Sequence, residues 1–301
     1  MKGLLKNESV IVEMSQKLVR RKFGEVKGEN LILTPEEAAY LTMKGILQVF
    51  DGEKPVSFED LLAISDTTKY FVFEELRERG KRINIRDFGD FIPLQEFSKI
   101  DVSWLYTHAG KRIAIVDGEG EVSYFAVDIF EKSGEHEESM EPFNAKFSGG
   151  FFATDCLDLH RKYFYGTERG GRILLSIYEG LYLVEKGVMR IESSFSQIYQ
   201  LGLRSFENFE TAYRIYRDLR ERRFMVKTGL KFGSDFRVYE RIKSLREMEH
   251  SKYLVKIRSD MVARELAGDV RLSNAVRKTL LYPLLTEDGE ITYISVRRVK
   301  P

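Results

Sequence analysis

Three side chains in the last third of this 301-residue chain could between them take up a proton, release one and neutralise charge: Tyr239 at the end of DFRVY, His250 in EMEHSKYLV, and Lys278 in AVRK. The chain has four histidines, His108, His136, His160 and His250, and only His250 stands beside this pair in sequence. Such a set suits metal-free cleavage of RNA, which carries its own nucleophile, the 2′-hydroxyl beside the scissile phosphate. The reaction needs a base for that hydroxyl, an acid for the departing 5′-oxygen, and a cation for charge building on the phosphoryl oxygens. Histidine titrates near neutrality and suits the acid. Lysine is a compact cation. Tyrosine, ordinarily near 10, serves as a base only beside positive charge, which Arg237 or Lys278 could supply. Taken singly, a strand tyrosine and a helix lysine are more often plain surface residues. Nearby acids are solitary (Asp235, Glu247, Glu249, Asp260, Asp269), and the region has no HExxH, P-loop or GxSxG.

The elements that position these residues follow from periodicity. DFRVY alternates, with Phe236 and Val238 on one face and Asp235, Arg237 and Tyr239 on the other. SKYLVKIRS sets Tyr253, Val255 and Ile257 against Lys252, Leu254, Lys256 and Arg258; a strand reaching back far enough gives His250 the parity of the basic face. DVRLSNAVRKTLL reads as a helix turning Leu272, Ala275, Val276 and Thr279 to a core, with Arg271, Asn274 and Lys278 in a stripe opposite. TLLYPLLTEDGEITYISV closes the chain as a hairpin with Asp288-Gly289 at its turn.

The chain also repeats itself. LTPEEAAYLTMKGIL (33–47) corresponds to LSIYEGLYLVEKGVM (175–189), YFVFEELRERG (70–80) to YRIYRDLRERR (213–223), and GEVSYFAV (120–127) to GEITYISV (289–296). Three ordered correspondences indicate a duplicated domain. The offset runs 142, 143, then 169, so the second copy carries about 26 additional residues between its LRER helix and its final hairpin. His250 falls in that added stretch, which points to one working and one structural copy. In each copy a strand leads to a helix, over 35–45 and 176–187, capped by Thr34 or Ser176. The predicted class is α/β with mixed sheets, twice over: a structural repeat over 1–130, an acidic linker over 131–148, and a catalytic repeat over 149–301.

Charge divides along the same line. Residues 1–148 hold 20 Lys and Arg against 27 Asp and Glu, a net −7; residues 149–301 hold 28 against 20, a net +8. A basic half suits a polyanion. The single Cys156 excludes an internal disulfide, and no Cys/His spacing suggests zinc. No run of about 18 apolar residues suggests a membrane span, and the first residues lack the apolar core of a signal peptide. The chain is therefore read as cytoplasmic.

YRDLRERRFMVKTGLKFGSDFRVY, EHSKYLV, RLSNAVRK and a terminal TYISVRRVK together closely resemble the archaeal tRNA-splicing endonuclease family, in its homodimeric tandem-repeat form. The resemblance covers essentially the whole chain. It implies a small N-terminal and a nuclease-like C-terminal α/β part in each repeat. It implies that Tyr239 is the base, His250 the acid, and Lys278 the transition-state cation, with no metal and no cofactor. It further implies that Arg271 and Arg298 sandwich a bulged base between guanidinium planes. The substrate it implies is a precursor tRNA with a bulge-helix-bulge, cut to a 2′,3′-cyclic phosphate and a 5′-hydroxyl. It also implies that the acidic loop DGEGE, with Asp117, Glu119 and Glu121, inserts into the basic repeat of a second subunit, making a homodimer. Two other readings stand beside it: a non-catalytic RNA-binding or structural subunit, and a metal-dependent nuclease.

Overall fold

The computed structural model of the protein describes residues 1–286 and 288–301. It resolves into two compact units: residues 1–128 with 260–269 and 297–301, and residues 129–259 with 270–296. The class is mixed α/β, and the N-terminal parts of the two units are built alike.

In the first unit a six-stranded sheet runs in the order Glu25–Lys27, Asn30–Leu33, Ser9–Glu13, Lys2–Lys6, Gln48–Asp51, Lys54–Val56. The helix Pro35–Met43 packs on it. Thr34 caps that helix in a capping box with Glu37, and Pro35 at its first position loses no needed donor. The longer helix Thr67–Glu78 follows, its core stripe formed by Tyr70, Phe73, Leu76 and Arg77. A second group of strands contains Phe91–Gln95, Arg112–Val116 and Val122–Phe130; the first two are parallel and the last two antiparallel.

The second unit repeats the plan. A four-stranded sheet runs Lys146–Ser148, Phe151–Thr154, Arg172–Leu175, Thr167–Arg169. The helix Ile177–Glu185 carries the equivalent capping box, Ser176 with Glu179. The helix Phe209–Glu221 buries Phe209, Ala212, Tyr213, Tyr216, Leu219 and Arg220 along one side, the spacing of an amphipathic helix. The following strands lie in the order Met225–Thr228, Phe236–Tyr239, Tyr253–Val255, Thr279–Leu285, Ile291–Val299. All these neighbours are antiparallel except Tyr253–Val255 with Thr279–Leu285. A parallel pair needs a crossover, and the helix Ala263–Ala275 lies within it.

Residues 131–148, the predicted linker, are tied to the second unit at several points. The amides of Gly134 and His136 donate to the carbonyls of Arg222 and Arg223, at 2.8 and 2.9 Å. Arg220 pairs with Glu138, and Phe143–Asn144 makes a short parallel ladder with Met189–Arg190. Among the described residues no helix is long and apolar enough to cross a membrane.

Two local expectations are corrected. The helix of the added region begins at Ala263 rather than near Asp269, and its buried face is Ala263, Leu266, Val270 and Ser273. Leu272 is 57% exposed and Val276 39% exposed. At about 100° per residue, Leu272 lies some 200° from Val270, so once the first turn docks at Ala263 the expected face points outward. Lys278 lies beyond the helix end and shares no stripe with Arg271 and Asn274. The strand at SKYLV is also short, Tyr253–Val255, with all three residues buried; His250 precedes it and takes no strand parity. The closing hairpin forms, its ends tied by the Thr286 amide donating to the Glu290 carbonyl at 3.0 Å; Glu287, in its turn, lies outside the described residues.

Candidate active site

The strand Phe236–Tyr239 sends alternate side chains to opposite faces. Phe236 and Val238 enter the main core of the second unit. Tyr239 enters a smaller apolar cluster with Phe164, Met225 and Ile242, and is only 2% exposed. Its hydroxyl donates to the Met248 carbonyl. Burial raises its pKa above the ordinary tyrosine value, and the Arg237 guanidinium opposes this only in part. The positive charge expected to prepare Tyr239 as a base is thus present in Arg237 but outweighed by desolvation.

His250 follows the 3-10 turn Leu245–Glu249, and its amide donates to the Glu247 carbonyl at 2.9 Å. The residue is exposed. Met248, which receives the Tyr239 hydroxyl, lies two residues earlier on the same turn. One short segment therefore carries the imidazole and occupies the phenol.

Lys278 is placed by the way its helix ends. Arg277 takes the left-handed conformation, φ 56°, and its amide donates to the Asn274 carbonyl at 2.9 Å. The Lys278 amide donates to the Ser273 carbonyl, also at 2.9 Å. This is the Schellman arrangement, with arginine where glycine is usual, at a cost of about 1–2 kcal/mol for the left-handed backbone. The chain reverses there, and Lys278 turns inward. Its Nζ donates to the Ser251 carbonyl at 2.6 Å and stands 5.1 Å from the centre of the Phe232 ring. Burial, then the charge of Arg237, lowers its pKa.

Tyr239, His250 and Lys278 line one open cleft of about 440 Å³. Its other walls include Glu240, Arg241, Lys252 and Arg277. Burial works to raise the Glu240 carboxyl, but hydrogen bonds from Lys252 and Tyr253 prevail and hold it below its ordinary value. Arg241 faces Glu135 at 3.4 Å. Arg277 has no ionic partner among the described residues. The cleft therefore presents a surplus of positive charge and an exposed imidazole, an arrangement suited to a phosphate ester rather than to a neutral or cationic ligand. Among the described residues, no three His, Cys, Asp or Glu side chains stand together as metal ligands.

The remaining predicted residues occupy separate places. Arg271 is exposed on the helix Ala263–Ala275 and groups with the second unit; Arg298 is exposed near the end of Ile291–Val299 and groups with the first. Asp117, Glu119 and Glu121 are exposed at the tip joining Arg112–Val116 to Val122–Phe130. The Asp117 carboxylate folds that tip by accepting from the amides of Glu119 and Glu121, at 3.0 and 2.9 Å.

Sequence reasoning missed Phe232. It lies on the 3-10 turn Leu230–Phe232 of the GLKFG segment, and its ring lies beneath both Lys278 and, at 5.9 Å, the Arg237 guanidinium. An aromatic face attracts cations and offsets part of their mutual repulsion. The available signal was an aromatic between two glycines just ahead of DFRVY, which no periodicity explains.

Two family models account for much of this chain. Residues 209–293 match the tRNA intron endonuclease, catalytic C-terminal domain, a span that contains Tyr239, His250, Arg271 and Lys278. Residues 1–62 and 154–198 match the tRNA intron endonuclease, N-terminal domain, one stretch in each half. The fold is thus that of a tRNA intron endonuclease, with its N-terminal module matched in both halves. A tRNA-splicing endonuclease of Natronomonas pharaonis is 30% identical, the match covering 93% of each chain. That of Haloferax volcanii is 30% identical over 91% of each. That of Pyrococcus abyssi is 34% identical over 45% of this chain and 82% of its own. The chain belongs to the tRNA-splicing endonuclease family.

Proposed function

We propose that the protein excises introns from precursor tRNA at bulge-helix-bulge sites, without metal in the chemical step, leaving a 2′,3′-cyclic phosphate and a 5′-hydroxyl. The observation that carries this reading is that Tyr239, His250 and Lys278, drawn from a strand, a turn and a helix terminus, line one cationic cleft. The substrate's 2′-hydroxyl attacks the adjacent phosphorus, and the bond to the 5′-oxygen breaks. Tyr239 takes the 2′-proton, His250 protonates the departing oxygen, and Lys278 stabilises the charged phosphorane. Tyr239 has the hardest task. Its proton is held against the Met248 carbonyl and its pKa is raised, so RNA must displace Met248 before the phenol can act. Hydrogen bonds at catalytic groups commonly rearrange when substrate enters.

Arg271 and Arg298 offer guanidinium planes for a bulged base. The acidic tip of Asp117, Glu119 and Glu121 docks on the basic repeat of a second copy, and two copies supply two sites for the two ends of an intron.

The test is a precursor with 2′-deoxyribose at one scissile nucleotide, cleaved in excess EDTA with end-group analysis. Cleavage should stop at that junction, continue at the other, and leave binding nearly unchanged. Normal cleavage of the deoxy junction would overturn the mechanism.

A further inference from the structure

Four cationic side chains line the cleft beside Tyr239 and His250: Arg241, Lys252, Arg277 and Lys278. Three of them are answered within the fold. Arg241 faces Glu135 at 3.4 Å, Lys252 pairs with Glu240 at 2.5 Å, and Lys278 donates to the Ser251 carbonyl at 2.6 Å. Glu240, the carboxylate that lines the cleft, is taken up by Lys252 and by the Tyr253 hydroxyl. Arg277 is exposed, and its guanidinium has no hydrogen-bonding or ionic partner among the described residues.

The backbone of Arg277 supplies a second observation. Its φ is 56°, at the position just past the helix Ala263–Ala275 where the Schellman arrangement closes. That position favours glycine, because in the left-handed region a Cβ crowds the following carbonyl. The first copy makes the corresponding junction, from the helix Val102–Thr107 to the strand Arg112–Val116, with a glycine in this conformation, Gly110, φ 85°. The junction therefore asks for no side chain. The second copy holds a strained arginine there, and no contact of its guanidinium within the protein offsets the strain. Strain kept without an internal return is characteristic of functional sites. The same reversal sends two consecutive cations to different depths: Lys278 is 8% exposed, whereas Arg277 stays at the rim.

We propose that Arg277 binds a backbone phosphate of the RNA strand entering the cleft, gripping two of its oxygens with the guanidinium fork, and that it serves binding rather than the chemical step. The proposal rests on the cleft being the site of cleavage. A planar guanidinium matches two phosphate oxygens at once, which an ammonium cannot do. An exposed arginine meets the phosphate equally before and during reaction, and such uniform binding lowers KM without raising kcat. Lys278, buried within the cleft, is the cation placed for charge that arises only in the transition state.

The test compares the full chain with Arg277→Gly and Arg277→Lys. Filter binding of a precursor carrying 2′-deoxyribose at both scissile nucleotides, over a range of salt, gives affinity and salt slope. Single-turnover cleavage of the ordinary precursor at saturating protein gives the rate, and urea unfolding gives stability. Arg277→Gly should bind about tenfold more weakly, the usual worth of a hydrogen bond to a charged group. Its log–log salt slope should fall by about one. Its rate at saturation should stay within about threefold of the parent. Its urea midpoint should be no lower than the parent's, since glycine relieves the left-handed backbone. Arg277→Lys should keep the salt slope, because the charge remains, and bind with an affinity between the other two. An Arg277→Gly protein with parent affinity and slope overturns the proposal. So does a lowered urea midpoint, which would give the arginine a structural role, or a rate loss at saturation larger than the loss of affinity. Arg277→Lys binding as tightly as the parent overturns the fork. Binding is read apart from cleavage, so a parent-like rate in His250→Ala would remove the catalytic roles proposed above and leave this result standing.

Discussion

Replacing Lys278 by methionine separates catalysis from stability. Methionine keeps the length and apolar bulk but removes the ammonium. Two effects on folding oppose each other. The Ser251 carbonyl, in a residue 4% exposed, loses the donor that reached it at 2.6 Å, and an unsatisfied buried acceptor costs about 1–3 kcal/mol. Against this, the parent protein buries a charge beside Arg237, as the lowered pKa of Lys278 records, and methionine removes that penalty. The methionine also rests on Phe232, where sulfur is well tolerated by a ring. The net change in stability should therefore be within about 2 kcal/mol of the parent. The catalytic loss has no such compensation: one preorganised electrostatic contact to the transition state contributes about 10²–10³ in rate. Single-turnover cleavage under saturating protein, with urea unfolding on the same preparation, gives both numbers. The expected result is a rate lowered by about 10²–10³ in a folded protein that binds RNA almost as before, since many other Lys and Arg contact phosphate. A parent-like rate would refute the role of Lys278, and a rate loss no larger than the unfolded fraction would make it merely structural.

Four further outcomes follow. His250→Ala should slow the chemical step about 10²–10⁴-fold with little change in gel-shift affinity; cleavage at the parent rate would remove it as the acid. Arg271→Lys and Arg298→Lys should weaken cleavage of bulged substrates more than binding of plain duplex RNA, because lysine has no plane to stack; equal losses would mean simple phosphate contacts. Asp117→Lys with Glu119→Lys should reduce assembly, by light scattering, and cleavage together while circular dichroism stays unchanged; a fully active, fully dimeric double variant would exclude the loop. His136 has its pKa pushed down to about 4, by burial first and then by Arg220, so the unfolded chain binds the extra proton below about 6.5. Stability is therefore lost as pH falls from about 6.5 to about 4, by an amount that the Glu138 carboxylate, 3.2 Å from the His136 Nε2, reduces by favouring the protonated ring. In His136→Gln that part of the acid dependence should vanish from urea midpoints measured at pH 7 and 4.5; identical pH profiles would show that the imidazole is not the titrating group.

Much of this architecture is written locally. The capping boxes at Thr34 and Ser176 use donors and acceptors three residues apart, and the stripe of Tyr213, Tyr216 and Leu219 needs only helical spacing, so sequence patterns find them. The alternation of Phe236 and Val238 against Tyr239 is equally plain. What periodicity could not supply was phase and endpoint in the added region. The helix took its phase from Ala263, where its first turn docks, so the apolar Leu272 and Val276 were left outside. Lys278 was read as part of a helix stripe because nothing in AVRK signals a C-terminus; an arginine holds the left-handed position where glycine would have marked it. His250 was given a strand's parity because the 3-10 turn before it has no distinctive pattern. Periodicity therefore identified residues of the cleft, while turns with long-range partners determine how they meet.

The two copies show what a working repeat adds to a shared interior. Each buries a glutamate at the start of its first long helix, Glu37 or Glu179, and each satisfies it with the amide of a left-handed glycine, Gly24 or Gly166. At Gly166 a side chain would come within 2.5 Å of the Leu174 carbonyl, so the glycine is required. The counter-cation is Arg86 in one copy and Lys227 in the other, at 3.1 and 2.7 Å, supplied from different points after the LRER helix. Each also buries an arginine over an aromatic ring, Arg77 over Phe23 at 4.1 Å and Arg220 over Tyr165 at 4.5 Å. Here the copies diverge. Arg77 is met by backbone carbonyls of Arg21, Lys22 and Ile83, whereas Arg220 keeps one backbone carbonyl, that of Phe224, and adds the Tyr165 hydroxyl and Glu138. Phe23 and Phe73 become Tyr165 and Tyr216, two hydroxyls gained at positions where rings alone suffice to fill the core. The residues of the cleft lie between the LRER helix and the final hairpin, the interval in which the second copy is about 26 residues longer. The duplicated scaffold thus supplies rigidity in both halves, and polar groups added to its interior and its loops distinguish the half that carries the cleft.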